Sequence, residues 1–252
     1  MVNLLDSYGI LGPDLLIAHA TQASHDDAVK LVEANAHISS TPDTELQMAL
    51  GEPVCFRADL ESISSLGVDC HTASSTGIFG QMHLALQNAR GTRNQRLIED
   101  GKFPDSIFPT VEEAYNLGTI KGARAIRQEA DIGSLAVGKK ADIVIFDATS
   151  PALICASQHD PVSAIVLHAS SRDIDYVMID GHVRKENGAI LPVVIEREIS
   201  PDEGGTVSWK DIAEELLRSR KEIQERIDQI DLSNTRSEVI TAFQIDRTSL
   251  SG

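Results

Sequence analysis

The stretch LLIAHATQASHDDAVKLVEANAHISS, residues 15–40, decides how this chain is read. Leu15-Leu16-Ile17-Ala18 is a continuous apolar run, too short for a helix and suited to a buried parallel strand. Ser24 or His25 opens a helix that runs to about Asn35. Asp26 and Asp27 fall in its first turn, where the helix dipole favours carboxylates, and Ala28, Leu31 and Val32 share one face. Ala36–Ser39 is a second short strand. Strand, helix and strand in this order argue for an α/β fold with a parallel sheet, of which a (β/α) barrel is one form.

Reading outward, SSTPDTELQMALGEPV (39–54) is a long loop punctuated by Pro42, Gly51 and Pro53. A helix over Asp59–Leu66 follows, and Gly67-Val68 leads the next strand into Asp69. Residues 76–127 read as helical. Ile78–Ala89 forms one helix, the polar stretch 90–109 interrupts, and Thr110 caps the next, with Glu113 three residues on completing a capping box. Residues 131–195 change character. Val144-Ile145-Phe146 and Val177-Met178-Ile179 are strand cores, with Gly133, Gly138, Gly181 and Gly188 at turns, which suggests a small β-sandwich. Ser208 opens a helix to about Ile230 whose Trp209, Ile212, Leu216, Ile223, Ile227 and Ile230 form one apolar stripe. That stripe is either a face docked on its own domain or a contact for an oligomer or partner. The expected domains are 1–130, 131–195 and a helical tail, 196–252.

Composition limits the functions. The 252 residues are 42% hydrophobic and carry a net charge of −16. Such acidity repels phosphate backbones and anionic lipid, so no nucleic-acid or membrane partner is expected. The three cysteines are neither paired in a C-x-x-C motif nor spaced as a disulfide framework, which suits a reduced cytoplasmic protein. No apolar run reaches the roughly 18 residues of a membrane span.

Two residues stand where α/β folds place chemistry. His19 follows the strand 15–18 directly, and Asp69 follows Gly67-Val68. Residues at the C-terminal ends of parallel strands face the site in such folds. Imidazole and carboxylate both suit a divalent transition metal, and a carboxylate touching the metal could also take a proton from water. Each residue has a plain alternative, His19 as a hydrogen-bonded structural residue and Asp69 as a cap or turn residue. Two ligands alone would hold an ion poorly.

In order, LLIAHATQASHDD, the Pro-containing loop HISSTPDTELQMALGEPV, LGVDCHTASSTG and TIKGARAIRQEADIGSLAVGKKADIVIFD resemble the metal-dependent amidohydrolase superfamily, in its cytosine deaminase and chlorohydrolase-like branch. GSLAVGKKADIVIFD (133–147) is the most specific part, and the likeness covers roughly residues 11–194. The resemblance implies a (β/α)8 TIM-like barrel, here partial with its C-terminal strands only, beside a small β-sandwich and a C-terminal helix. It implies a zinc or iron ion at the barrel mouth, His19 as one ligand, and Asp69 as ligand and proton shuttle. The implied reaction is hydrolysis at a carbon–nitrogen bond, or displacement at an electron-poor ring carbon. The substrate would be a small nitrogen heterocycle or amide. Gln22, Glu45 and His71 would line the substrate end; Glu45 and His71 read otherwise as a solvated loop charge and a solvated loop histidine.

The sequence departs from that family in three ways. No two of its eight histidines are separated by one residue, so the family's opening His-x-His pair is absent. Gln22 stands where many relatives carry His or Glu, and an amide cannot transfer protons as a carboxylate does. About Ser40 stands where relatives often carry His. The expectation is a C-terminal portion whose barrel is completed by an N-terminal half or covered by self-association. The alternative is a non-catalytic paralogue or interaction protein that binds no metal.

Overall fold

The computed structural model describes residues 1–70, 77–195, 205–230, 232, 234–242, 245–246 and 248. The chain divides into two compact units, Met1–Ala189 and Ile190–Gly252.

The first unit begins with α1 (Val2–Ser7), β1 (Leu16–Ala18), α2 (His25–Glu33) and β2 (His37–Ser40). Ser24 caps α2 by accepting from the Asp27 amide, while the Asp27 carboxylate accepts from the Ser24 amide. This reciprocal cap fixes where the helix starts. Its buried face, Ala28 and Leu31, packs on Ile17 of β1 and Ile38 of β2 in one apolar cluster. β1 and β2 pair in parallel, Ile17 beside Ile38, and β2 pairs in parallel with β3 (Ser64–Leu66), Ser39 beside Ser65. The parallel βαβ reading of residues 15–40 therefore holds.

Three expectations fail along the next stretch. Pro42 does not punctuate a loop; it sits in the first turn of α3 (Pro42–Gln47), where its missing N–H costs nothing. The helix expected over Asp59–Leu66 is only a 3-10 turn, Glu61–Ile63, running into β3. Ile63 and all three residues of β3 are buried. Ser64 and Ser65 are tolerated there because their hydroxyls donate to the Leu60 and Ile38 carbonyls. β3 thus lies three residues nearer the N-terminus than the Gly67-Val68 reading placed it. Finally, α4 (Ile78–Glu99) does not stop at Ala89. The polar residues after Ala89 continue as helix until Asp100-Gly101, where Gly101 takes φ +69°.

α5 (Val111–Leu117) starts at a Thr110–Glu113 capping box, as the spacing required, and α6 (Ile120–Ala125) follows. Then come β4 (Ile143–Phe146), α7 (Ala156–His159), α8 (Pro161–His168), β5 (Ile174–Ile179), β6 (His182–Glu186) and β7 (Ala189–Ile190). The strands form a second sheet in the order β4-β5-β6-β7, with β4, β5 and β6 antiparallel. Asp180-Gly181 and Asn187-Gly188 both have positive φ at two successive residues, the turn chemistry of tight hairpins. α8 is capped by Asp160 and sends Val166 into a cluster with Leu66, Leu86 and Leu117.

The second unit holds β8 (Val193–Ile195) antiparallel to β9 (Gly205–Val207), then α9 (Trp209–Ile227) and α10 (Thr235–Ala242). Ser208 and Asp211 form the capping box that starts α9.

Candidate functional site

The C-terminal ends of β1, β2 and β3 lie side by side, because the strands are parallel and adjacent. The ladder continues past the strands themselves: His19 N donates to Ser39 O at 2.9 Å and Gly67 N donates to Ser40 O at 2.8 Å. His19, Ser40-Thr41 and the Gly67–Asp69 segment therefore leave the sheet along one edge.

His19 is held from behind. Its Nδ1 lies 2.9 Å from Thr41 Oγ1 and 3.5 Å from Glu45 Oε1. With Nδ1 engaged in this way, Nε2 is the nitrogen left for a ligand or a metal, the arrangement that orients metal-binding imidazoles. The backbone at His19 and Ala20 takes φ of 69° and 55°. Asp69 takes φ 62°. Left-handed backbone is uncommon outside glycine, and Asn35, Ala49, Arg127, Asp180 and Asn187 also adopt it, at turns. Both strand-end residues singled out by sequence share this feature. The Asp69 side chain is exposed and that of His19 is partly so.

Glu45 is not a solvated loop charge. It lies on α3, fully buried. Its Oε2 accepts from the Ser40 hydroxyl at 2.8 Å and its Oε1 from the Thr41 amide at 2.9 Å. Burial pushes its carboxyl above the ordinary range, against the opposing pull of the Thr41, Ser40 and His19 contacts. Thr41 is the site residue that the sequence reading missed; Ser40 was noted only as standing where relatives often carry His. The signal was the Ser-Ser-Thr-Pro run at a strand end, where hydroxyls meet the next helix.

Gln22 is exposed, and its amide nitrogen donates to the Leu50 carbonyl at 2.8 Å, as does Thr21 Oγ1 at 2.6 Å. Gly51 passes so close that a Cβ there would come within 3.0 Å of Thr21 Cβ. Gln22 thus ties the loop after β1 to the loop after α3. His71 lies outside the described residues. Cys55 is buried, and burial pushes its thiol up to about 12.

An imidazole and a carboxylate are donors of the kind zinc takes. They fall short in number. Among the described residues no group of three or more His, Cys, Asp or Glu side chains is placed to hold a metal ion. A hydrolytic zinc site needs about three protein donors and one open position.

The amidohydrolase family matches residues 2–184, and the chain belongs to that family. It is 29% identical over 196 residues to a 5'-deoxyadenosine deaminase of Methanobrevibacter smithii, a likeness that covers 77% of this chain and 42% of that protein. The chain spans about two-fifths of the length of the curated relatives it matches. Among solved structures it is similar to an adenosine deaminase from Xanthomonas campestris with bound zinc, at a TM-score of 0.70 and 20% identity. That likeness covers 91% of this chain and 46% of the other. It is also similar to the zinc complex of atrazine chlorohydrolase from Arthrobacter aurescens, at a TM-score of 0.64 and 21% identity over 79% of this chain and 42% of the other. These likenesses show the α/β fold of the amidohydrolase barrels.

Proposed function

We propose that this chain forms the C-terminal strands of a metal-dependent amidohydrolase barrel and contributes to hydrolysis of a carbon–nitrogen bond in a small amine-bearing nitrogen heterocycle. The observation that carries the reading is the shared C-terminal end of the sheet: His19 follows β1 and Asp69 follows β3, the two parallel strands that flank β2, and His19 Nδ1 is fastened by Thr41 and Glu45. His19 and Asp69 are two of the metal's ligands. A zinc or iron ion in this position would lower the pKa of a bound water. Asp69, exposed at the mouth, accepts the proton and returns it to the leaving nitrogen. Glu45 is buried behind His19 and acts through that imidazole. Gln22 flanks the substrate end, and a role in binding the substrate is assigned to His71.

The remaining donors belong to strands that would add beside β1. β1 is an edge strand, and Leu16 and Ala18 on it are exposed. An apolar edge strand of this kind is a template for further strands. The names of the relatives direct the choice of substrate to aminopurine nucleosides such as 5'-deoxyadenosine. The shortage of donors within the described residues favours a second reading for the chain by itself, in which it binds no metal tightly and does not turn over.

The test is a chimaera in which residues 1–189 replace the matching part of the Methanobrevibacter deaminase. Ammonia release from 5'-deoxyadenosine, lost on His19→Ala and on Asp69→Asn, is the expected result. A folded chimaera that binds zinc but shows no ammonia release from any aminopurine nucleoside would remove the substrate assignment.

A further inference from the structure

One side of α4 lines a cavity that the proposed metal chemistry does not use. Its volume is about 290 Å3. That is the low end of the range for small-molecule sites, roughly 300–1,000 Å3, and suits a compact ligand rather than a chain segment. Asn88, Thr92 and Arg96 stand four residues apart along α4 and line the cavity together, with Arg93 beside them. Val54, Phe56, Phe108 and Pro109 give it an apolar wall.

Three arginines reach this cavity, and they differ in what they have left to donate. Arg57 is engaged by the fold. Its Nε and Nη2 donate to the Asp59 carboxylate at 2.7 and 3.1 Å, and its Nη1 donates to Ala23 O at 2.7 Å. Arg93 is positioned but not used up. Its Nη1 donates to Ser106 O at 3.3 Å, and its guanidinium carbon lies 6.0 Å from the centre of the Phe108 ring. Arg90 Nε donates to Pro109 O at 2.9 Å and fastens that same segment to α4. Arg96 Nη2 donates to Glu52 Oε2 at 3.2 Å, in an exposed pair of the kind that contributes little. A guanidinium carries five N–H donors. Among the described residues Arg93 and Arg96 engage one each, and the side chains of Asn88 and Thr92 make no hydrogen bond.

The charge at the cavity is also out of keeping with the chain. Arg57, Arg93 and Arg96 against Glu52 and Asp59 leave +1, in a protein of net charge −16. An anion repelled by most of this surface meets here two guanidinium forks, an amide and a hydroxyl. Such forks match the paired oxygens of a carboxylate or a phosphate. The apolar wall adds a requirement that a bare inorganic ion does not meet.

We infer that this cavity is a binding site for a small organic anion, a carboxylate or phosphate group on a compact apolar body, with Arg93 and Arg96 holding the anionic head. The site requires no metal, and every residue of its lining belongs to the unit Met1–Ala189.

Isothermal titration calorimetry of the full chain, in a buffer free of phosphate and carboxylate, tests it with phenyl phosphate, benzoate, inorganic phosphate and benzyl alcohol. Phenyl phosphate or benzoate is expected to bind once per chain, at least about 10-fold more tightly than inorganic phosphate or benzyl alcohol. The tighter of the two identifies the head group. Arg93→Gln and Arg96→Gln are each expected to weaken binding at least about 10-fold, with the thermal melt of the free chain unchanged. Glu52→Gln removes a competing carboxylate and is expected to tighten binding about 2- to 5-fold, which the loss of a structural contact would not do. Arg124→Gln, outside the cavity, leaves binding as it was. No saturable heat with either organic anion would overturn the inference. So would benzyl alcohol or inorganic phosphate binding as tightly as the organic anions, or an affinity untouched by both arginine substitutions.

Discussion

Replacing Glu45 with alanine isolates the support behind His19. The substitution removes the acceptor for two buried donors, the Thr41 amide and the Ser40 hydroxyl, and takes away the carboxylate 3.5 Å from His19 Nδ1. A buried donor left without a partner costs about 1–3 kcal/mol. Two such donors, offset by relief of the cost of burying an acid, give an expected loss of about 2–5 kcal/mol. Urea unfolding followed by far-UV circular dichroism, with the slope unchanged between variants, measures it. Glu45→Gln is the control. Its amide oxygen keeps the Thr41 contact, and its NH2 can donate to Ser40 Oγ, so a loss below about 1.5 kcal/mol is expected. The pH dependence has a definite sign. Because burial raises the Glu45 carboxyl in the folded chain, the folded state holds the proton to higher pH than the unfolded one. Stability therefore falls as pH rises from the ordinary carboxyl range through the raised value, and this fall disappears in Glu45→Gln. A Glu45→Ala variant within about 1 kcal/mol of the parent, or a slope that survives in Glu45→Gln, would refute the reasoning.

Asp173 shows the opposite sign. The Ser150 hydroxyl, the Ser170 hydroxyl and the Ser170 amide donate to it at 2.6, 2.7 and 2.8 Å and hold its carboxyl below the ordinary range. Its contribution is expected to be full at neutral pH and lost as pH falls through that lowered value; Asp173→Ala at pH 7 should cost about 2–4 kcal/mol in urea unfolding. Gly133→Ala forces a side chain into φ +83° and brings its Cβ to 2.5 Å from Ala123 Cβ and 3.2 Å from Ile120 Cα; a loss of about 2–4 kcal/mol is expected from calorimetric melting. Leu31→Ala empties the fully buried contact between α2 and the first two strands and should cost about 2–5 kcal/mol by the same measurement.

The fold was most legible where local signals agreed with tertiary packing. The run Leu15–Ala18, the Ser24 cap and the apolar face of α2 all point to the same βαβ unit, and the structure contains it. Legibility failed where one signal overrode another. Asp59–Leu66 has helix-like spacing, yet its serines hydrogen-bond to neighbouring carbonyls and allow a buried strand. Residues 90–96 are mostly polar, yet the helix runs through them, Gly91 included, and ends only before Gly101. Within the β-rich stretch, α7 and α8 were missed although Asp160-Pro161 is a helix start, with Asp as cap and Pro in the first turn. The pairs Asp180-Gly181 and Asn187-Gly188 carried a hairpin signal that could have been read.

The site divides similarly. The places of His19 and Asp69 after parallel strands were visible from the apolar runs that precede them. The burial of Glu45 was not, since an acid in a Pro-containing loop is usually solvated and only the packing of α3 shows otherwise. Positive φ at Ala20 has no sequence signature, and at His19 and Asp69 only a weak one, since His and Asp enter that region more readily than most residues. Among the described residues no third His, Cys, Asp or Glu joins a cluster that could hold a metal ion.

The central claim is that His19 and Asp69 are metal ligands awaiting further donors. The most direct measurement is the zinc content of the folded chimaera that joins residues 1–189 to the matching remainder of the Methanobrevibacter relative. One tightly held zinc per chain is expected, with loss of that ion on Asp69→Asn and on His19→Ala. A folded chimaera without zinc, or one whose zinc is retained in both variants, would contradict it.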